Sequence, residues 1–284
     1  MQPPSTNSAA LTSPAIEISH LTVTFPDGTQ ALRDLSLSAP HGQFCVILGP
    51  SGSGKSTLLR SLNGLASPTQ GRIRLDGAEL TKHSLHVLRP RTAMIHQQFN
   101  LVTRATVAAN VLTGALPAVA TWRVLLQWYP KLHRDKACRL LQEVGLEPQH
   151  LHRRISDLSG GQQQRVGIAR AFMLEPLILL ADEPVANLDP RTSRDILELL
   201  RRQSHQHHTT VLCSLHQVDL AREFADRIIA LRQGQLAYDG APADLSDAIL
   251  ERLYEASPPQ SAPATQASAT ARSDLESFAT VTRP

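Results

Sequence analysis

Apolar residues in this chain follow two spacings. Runs at 44–48, 177–181 and 211–215 are apolar almost throughout, as strands buried on both faces require. Residues 16–25 alternate apolar and polar in part, and 72–75 and 93–96 are shorter strand segments of the same kind. Between them, apolar positions recur at helical spacing over 55–64, 161–174, 191–203 and 217–225. Strands alternating with helices predict an α/β chain with a mostly parallel sheet covered on both faces.

The stretch 99–157 breaks this alternation. Val107, Val111 and Leu112, then Ala137, Leu140, Leu141 and Val144, repeat at helical spacing with no strong strand run among them, so it reads as a helical insertion. Trp122, Trp128 and Tyr129 lie in it and are expected to be packing anchors rather than ligand contacts. Residues 1–14 and 256–284 are rich in Ser, Thr, Ala, Pro and Gln. They hold too few large apolar groups to offset the entropy of ordering and read as disordered tails. The division expected is a core of 15–98 and 158–246, with 99–157 as a helical subdomain.

Composition narrows the class. A chain of 284 residues can bury a full core, and an aromatic content of 4% fits one built from Leu, Ile, Val and Ala. The net charge of +3 is spread along the chain with no basic block interleaved with aromatics, so no nucleic-acid partner is expected. Cys45, Cys138 and Cys213 are odd in number and lack a C-x-x-C spacing, which argues for a reducing compartment, with Cys45 and Cys213 as small core hydrophobes. No apolar run reaches the about 18 residues that a bilayer span needs, and the first residues lack the pattern of a secretory signal. His205, His207 and His208 have no carboxylate or Cys at a ligand spacing and read as a solvated helix-to-strand loop.

The chemistry begins at Gly49-Pro50-Ser51-Gly52-Ser53-Gly54-Lys55-Ser56-Thr57, directly after the run 44–48. Glycines let several N–H groups converge on phosphate oxygens, and the helix opening at Lys55 adds the positive end of its dipole. Lys55 is placed to reach the β- and γ-phosphates and the Ser56 hydroxyl to bind Mg²⁺. A second run, 177–181, ends in Asp182 and Glu183. The first carboxylate can hold Mg²⁺ through water, and the second can polarise an attacking water. Between these elements, Ser159-Gly160-Gly161-Gln162 opens another helix and makes a second anion-binding N-terminus.

A chain with two phosphate-facing helix ends resembles the ATP-binding cassette family over about residues 16–245. The resemblance implies a P-loop NTPase core with a mostly parallel sheet, an N-terminal antiparallel β portion and an inserted helical subdomain. It implies that ATP is held between two cassettes, with Ser159, Gly160, Gly161 and Gln162 of one closing over the phosphate loop of the other, so that the chain pairs with a copy of itself or a related chain. Phe25 resembles the aromatic that stacks on adenine, its alternative being an ordinary strand-end core residue. Gln97 resembles the glutamine that touches Mg²⁺ and the attacking water, and Gln98 competes for that role. Asp189 resembles the aspartate of the loop crossing the dimer interface, and His216 the switch histidine at a strand end that senses the γ-phosphate. Glu183 takes the part of general base.

The segments 99–116, 121–146 and 214–240 further resemble ATP-binding subunits of bacterial phosphonate importers. That implies an ATPase at the cytoplasmic face of the cell membrane, peripheral to it, working with permease subunits and an extracytoplasmic solute-binding protein. Import of another small solute such as phosphate, phosphite or an amino acid is the alternative within this class. A soluble cassette ATPase acting elsewhere and a metabolic kinase are the alternatives outside it. Three positions depart from the family's habit: His96 where an aromatic is common, Asn187 where Ser is common, and Gly167 where Ala is usual. None removes a group that hydrolysis needs.

Overall fold

In chain order the elements are β1 (Ile16–Thr24), β2 (Gln30–Ala39), β3 (Phe44–Leu48), α1 (Lys55–Leu62), β4 (Gln70–Leu75), β5 (Ala78–Glu79), α2 (Leu85–Leu88) and β6 (Thr92–Ile95). There follow α3 (Val107–Leu112), α4 (Thr121–Leu125), α5 (Lys131–Glu143), α6 (Gly160–Ala171), β7 (Ile178–Asp182), α7 (Pro190–Gln206), β8 (Thr210–Ser214), α8 (Val218–Phe224), β9 (Arg227–Arg232), β10 (Gln235–Gly240) and α9 (Asp247–Tyr254). This computed structural model describes residues 13–98, 100–126 and 128–255. The reading of 1–14 and 256–284 as disordered tails therefore falls outside the described residues, except at 13 and 14.

The strands form two sheets. The larger has the order β10-β9-β3-β8-β7-β6, parallel from β9 to β6, with β10 added antiparallel at one edge. The smaller is antiparallel, with the order β2-β1-β4-β5. This is the P-loop NTPase α/β architecture.

The parallel sheet separates two apolar cores, and the period of two along its strands decides which side chain enters which. Phe44, Val46 and Leu48 of β3 join the helices α3, α5, α6, α7 and α8 on one face. Cys45 and Ile47 join α1 and the antiparallel sheet on the other. Both faces are covered, so every residue of β3, β7 and β8 is buried, which is why these strands read as continuous apolar runs. The helices between β6 and α6 share the first of these cores through Val107, Val111, Ala137, Leu140 and Leu141.

Strands β2, β5, β9 and β10 escape the alternation pattern. In β1 and β2, register shifts occur where His20 (φ 52°) and Asp34 (φ 48°) turn left-handed, and the two are joined by a 2.7 Å contact between His20 Nδ1 and Asp34 Oδ1. These bulges reset the period of two, so β2 carries no clean alternation. The hairpin β9–β10 turns at Gln233 (φ 51°) and Gly234 (φ 79°), both left-handed as a tight two-residue turn requires.

Two side-chain expectations are corrected. Trp122 and Trp128 are not packing anchors: they are 50% and 61% exposed and pair with each other, while Tyr129 alone of the three is buried. His207 is not simply solvated. It caps the end of α7 and lies 5.2 Å, ring to ring, from the buried Phe172.

Candidate functional site

The loop after β3 is shaped by backbone that only glycine tolerates. Gly49 has φ 149°, and a Cβ there would lie 2.2 Å from the Leu231 carbonyl oxygen and 2.6 Å from the Ser53 hydroxyl. Lys55, at the first position of α1, is buried, and its Nζ donates to the carbonyl oxygens of Gly49 (2.8 Å) and Pro50 (3.1 Å). Burial pushes its pKa down, opposed by the carboxylates of Glu183 and Asp182. Ser53 Oγ is buried with no hydrogen-bond partner among the described residues. An unpaired hydroxyl inside a ring of backbone amides suits an anion in the loop.

Strand pairing brings the second half of the site alongside. β7 lies two strands from β3, with β8 between them. Asp182, at the end of β7, is buried, and its Oδ1 accepts from Ser56 Oγ (2.9 Å) and from Ser214 Oγ (3.0 Å). Ser214 Oγ also accepts from the Glu183 backbone N–H (2.9 Å). Glu183 takes the left-handed φ of 49° immediately after the strand, and its Oε1 lies 2.5 Å from His216 Nε2. Three consecutive loop ends of a parallel sheet, after β3, β7 and β8, thus converge at the carboxyl edge, where open α/β sheets place their ligands.

The signature helix α6 begins elsewhere on the chain. Ser159 Oγ accepts from the Gln162 N–H (3.3 Å), and Gln162 Oε1 accepts from the Ser159 N–H (3.0 Å), a reciprocal cap. A Cβ on Gly161 would lie 2.7 Å from the Thr192 side chain, so α6 starts against the first turn of α7. Asp189 caps that turn, accepting from the N–H groups of Arg191 (3.1 Å) and Thr192 (3.0 Å). The Thr192 hydrogen bonds hold its carboxyl below the usual carboxylate range. Ser159, Gly160, Gly161 and Asp189 therefore form one surface, and among the described residues none of their hydrogen bonds reaches Lys55 or Ser56 of the same chain.

The structure leaves two expected residues apart from the carboxylates. Phe25 follows β1 at a turn and is 41% exposed, so it is not a strand-end core residue. Gln97 and Gln98 both lie exposed in the bend after β6, and among the described residues neither hydrogen-bonds the carboxylates. One further residue had no sequence signal as part of this arrangement: Ser214 ties Asp182 to Glu183.

Residues 32–186 match the ABC transporter family. The chain is 53% identical over 231 residues to a phosphonates import ATP-binding protein, PhnC, of Hydrogenovibrio crunogenus, covering 81% of this chain and 85% of that one. This chain belongs to the ABC transporter family. The cassette is also 48% identical over 240 residues to the phosphite import ATP-binding protein PxtA of Stutzerimonas stutzeri, covering 84% of this chain and 86% of that one. Among solved structures it resembles the cassette MJ0796, a dimer bound to ADP and Pi in a post-hydrolysis state. That match has a TM-score of 0.68 and 33% identity, over 80% of this cassette and 98% of that chain.

Proposed function

We propose that this cassette is the ATP-hydrolysing, energy-coupling subunit of an importer for phosphonates, peripheral to the cytoplasmic face of the cell membrane. The observation that carries the reading is the hydrogen-bonded series Ser56–Asp182–Ser214–Glu183, with His216 against Glu183, at the mouth of the phosphate loop.

In this reading the backbone from Gly49 to Thr57, with the Lys55 ammonium, binds the ATP phosphates, and exposed Phe25 offers its ring to adenine. Mg²⁺ fits the oxygens present: the Ser56 hydroxyl and the Asp182 carboxylate converge, as a cation taking few protein ligands beside phosphate requires. Gln97 would complete that set from the bend beyond β6. When bound, the cation neutralises charge developing on the phosphates. Glu183 accepts the proton of the attacking water at its carboxylate, and His216 Nε2 holds that carboxylate in place.

Because Ser159 to Gln162 and Asp189 share a surface apart from Lys55, the reading completes each ATP site with a second copy, and the similar cassette MJ0796, bound to ADP and Pi, is a dimer. A groove lined by Arg89, Met94, His96, Thr113, Leu116 and Arg170, next to Gln97, is the proposed seat of the permease subunit. A solute-binding protein outside the membrane would deliver cargo to that permease.

Similarity to both a phosphonate and a phosphite importer subunit supports a phosphorus oxyanion as cargo, and phosphite is the second reading. The test is uptake of labelled alkylphosphonate by cells carrying the native chain or Glu183→Gln, with phosphite and phosphate as competitors. Glu183→Gln is expected to retain ATP binding, lose at least about 10²-fold in turnover and abolish uptake. Normal turnover in that variant would overturn the site assignment. Stronger competition by phosphite than by phosphonate would transfer the cargo to the second reading.

A further inference from the structure

Trp122, Leu125, Leu126, Trp128 and Leu132 line neither the ATP site nor the proposed permease groove. Leu125, Leu126 and Leu132 are 79%, 69% and 70% exposed, beside Trp122 and Trp128. Five large apolar side chains within eleven residues make a contiguous chain segment of a kind that soluble surfaces seldom leave uncovered. The segment is fixed rather than loose: Tyr129 and Val119 are buried in the helical core, and Val124 packs against it.

Both indole rings of this patch contact a cation. Arg123 sits between the two indoles, its guanidinium carbon 5.1 Å from the Trp122 ring centroid and 5.5 Å from that of Trp128. Lys131 and Arg134 follow, both exposed. From residue 80 to residue 134 the chain holds seven Lys and Arg and no Asp or Glu, so all 25 acidic residues lie outside that stretch. Exposed Leu beside Trp, with Arg and Lys whose stems can lie along apolar surface, is the chemistry of a bilayer interface. Exposed Asp135 follows Arg134, and the cations Arg123, Lys131 and Arg134 outnumber it on this segment, a charge balance that complements anionic headgroups.

We propose that Trp122, Leu125, Leu126, Trp128 and Leu132, with Arg123, Lys131 and Arg134, form an interfacial anchor that seats the apolar side chains at the headgroup boundary of an anionic phospholipid bilayer, independently of any permease. The anchor also stands apart from the phosphonate assignment, since it needs neither cargo nor ATP.

Both tryptophans of the chain lie in the patch, so intrinsic emission reports on it directly. The purified full-length protein is mixed with protein-free vesicles of phosphatidylcholine, alone or with about 30% phosphatidylglycerol. Emission is expected to shift to the blue and to be quenched by brominated acyl chains only on the anionic vesicles. The double variant Leu125→Ser/Leu126→Ser, which keeps both tryptophans and the ATP site, is expected to float with those vesicles at least about 10-fold less while hydrolysing ATP normally in solution. Arg123→Gln with Lys131→Gln weakens flotation, and added salt does the same to the native chain. A native chain that neither floats nor shows quenching on anionic vesicles overturns the proposal. So does binding confined to proteoliposomes that contain the permease, which would make the patch a protein contact. If the double variant loses its fold, the quenching of native emission decides the question by itself.

Discussion

His96 stands one residue beyond β6, half-buried beside Arg170. Burial and the Arg170 charge lower its pKa from the ordinary 6.5, with Asp182 opposing and Arg60 adding to the decrease. The unfolded chain therefore takes up a proton near pH 6.5 that the folded chain accepts only at lower pH. Stability is expected to fall as pH drops through that value and to level off below the folded pKa. Urea midpoints taken between about pH 5 and 7.5 should show a shallower acid slope for His96→Asn than for the native chain, and equal slopes would contradict the shift. At this scale the sequence was most informative where chemistry demands a residue type. Lys55, Ser56, Asp182 and Glu183 were legible because a phosphate loop and a strand ending in carboxylates admit few substitutes. Ser214 was not, since its role depends on which strand end comes alongside.

At the scale of elements, α6 combines a strong start with a weak middle. The reciprocal Ser159–Gln162 cap satisfies its first N–H groups, while Gly167 sits inside the helix where Ala is favoured. A Cβ on Gly167 would meet nothing within 4 Å outside the local helix backbone, so the glycine is not required by packing. Gly167→Ala is expected to stabilise the cassette by about 0.5–1 kcal/mol and to raise the melting temperature by about 2 °C, with ATPase activity retained. Calorimetry showing a decrease would mean that an unseen steric limit acts there. The same scale explains which elements the pattern revealed. Strands β3, β7 and β8 are flanked on both sides and covered on both faces, so their apolar runs were plain. Strand β2 is bulged at Asp34, and the β9–β10 hairpin turns on Gln-Gly rather than Asn-Gly, so neither had its usual marker. The exposure of Trp122 and Trp128 was hidden for a different reason: helical spacing of apolar residues announces a buried face and says nothing of a second one.

For the molecule as a whole, the proposed sandwich makes each ATP site the property of two chains. A Lys55→Ala chain lacks the phosphate-binding half, and a Ser159→Arg chain lacks the covering half. Each alone is expected to be inactive, whereas a mixture should recover ATPase activity, because a mixed pair has one site built from two intact halves. No recovery on mixing would argue that Lys55 and Ser159 of one chain act together. The order of strands has a separate consequence, in biosynthesis. β3 lies at the middle of the parallel sheet, yet its partners come much later in the chain: Phe44 pairs with Val211, and Cys45 with Arg227. During translation the phosphate loop emerges long before either neighbour that fixes it. The apolar β3 must wait with both edges open until most of the polypeptide has been made, a long-range closure that is slow and exposed to aggregation. The nascent chain is thus at its most vulnerable between the appearance of its nucleotide-binding loop and the arrival of β8 and β9.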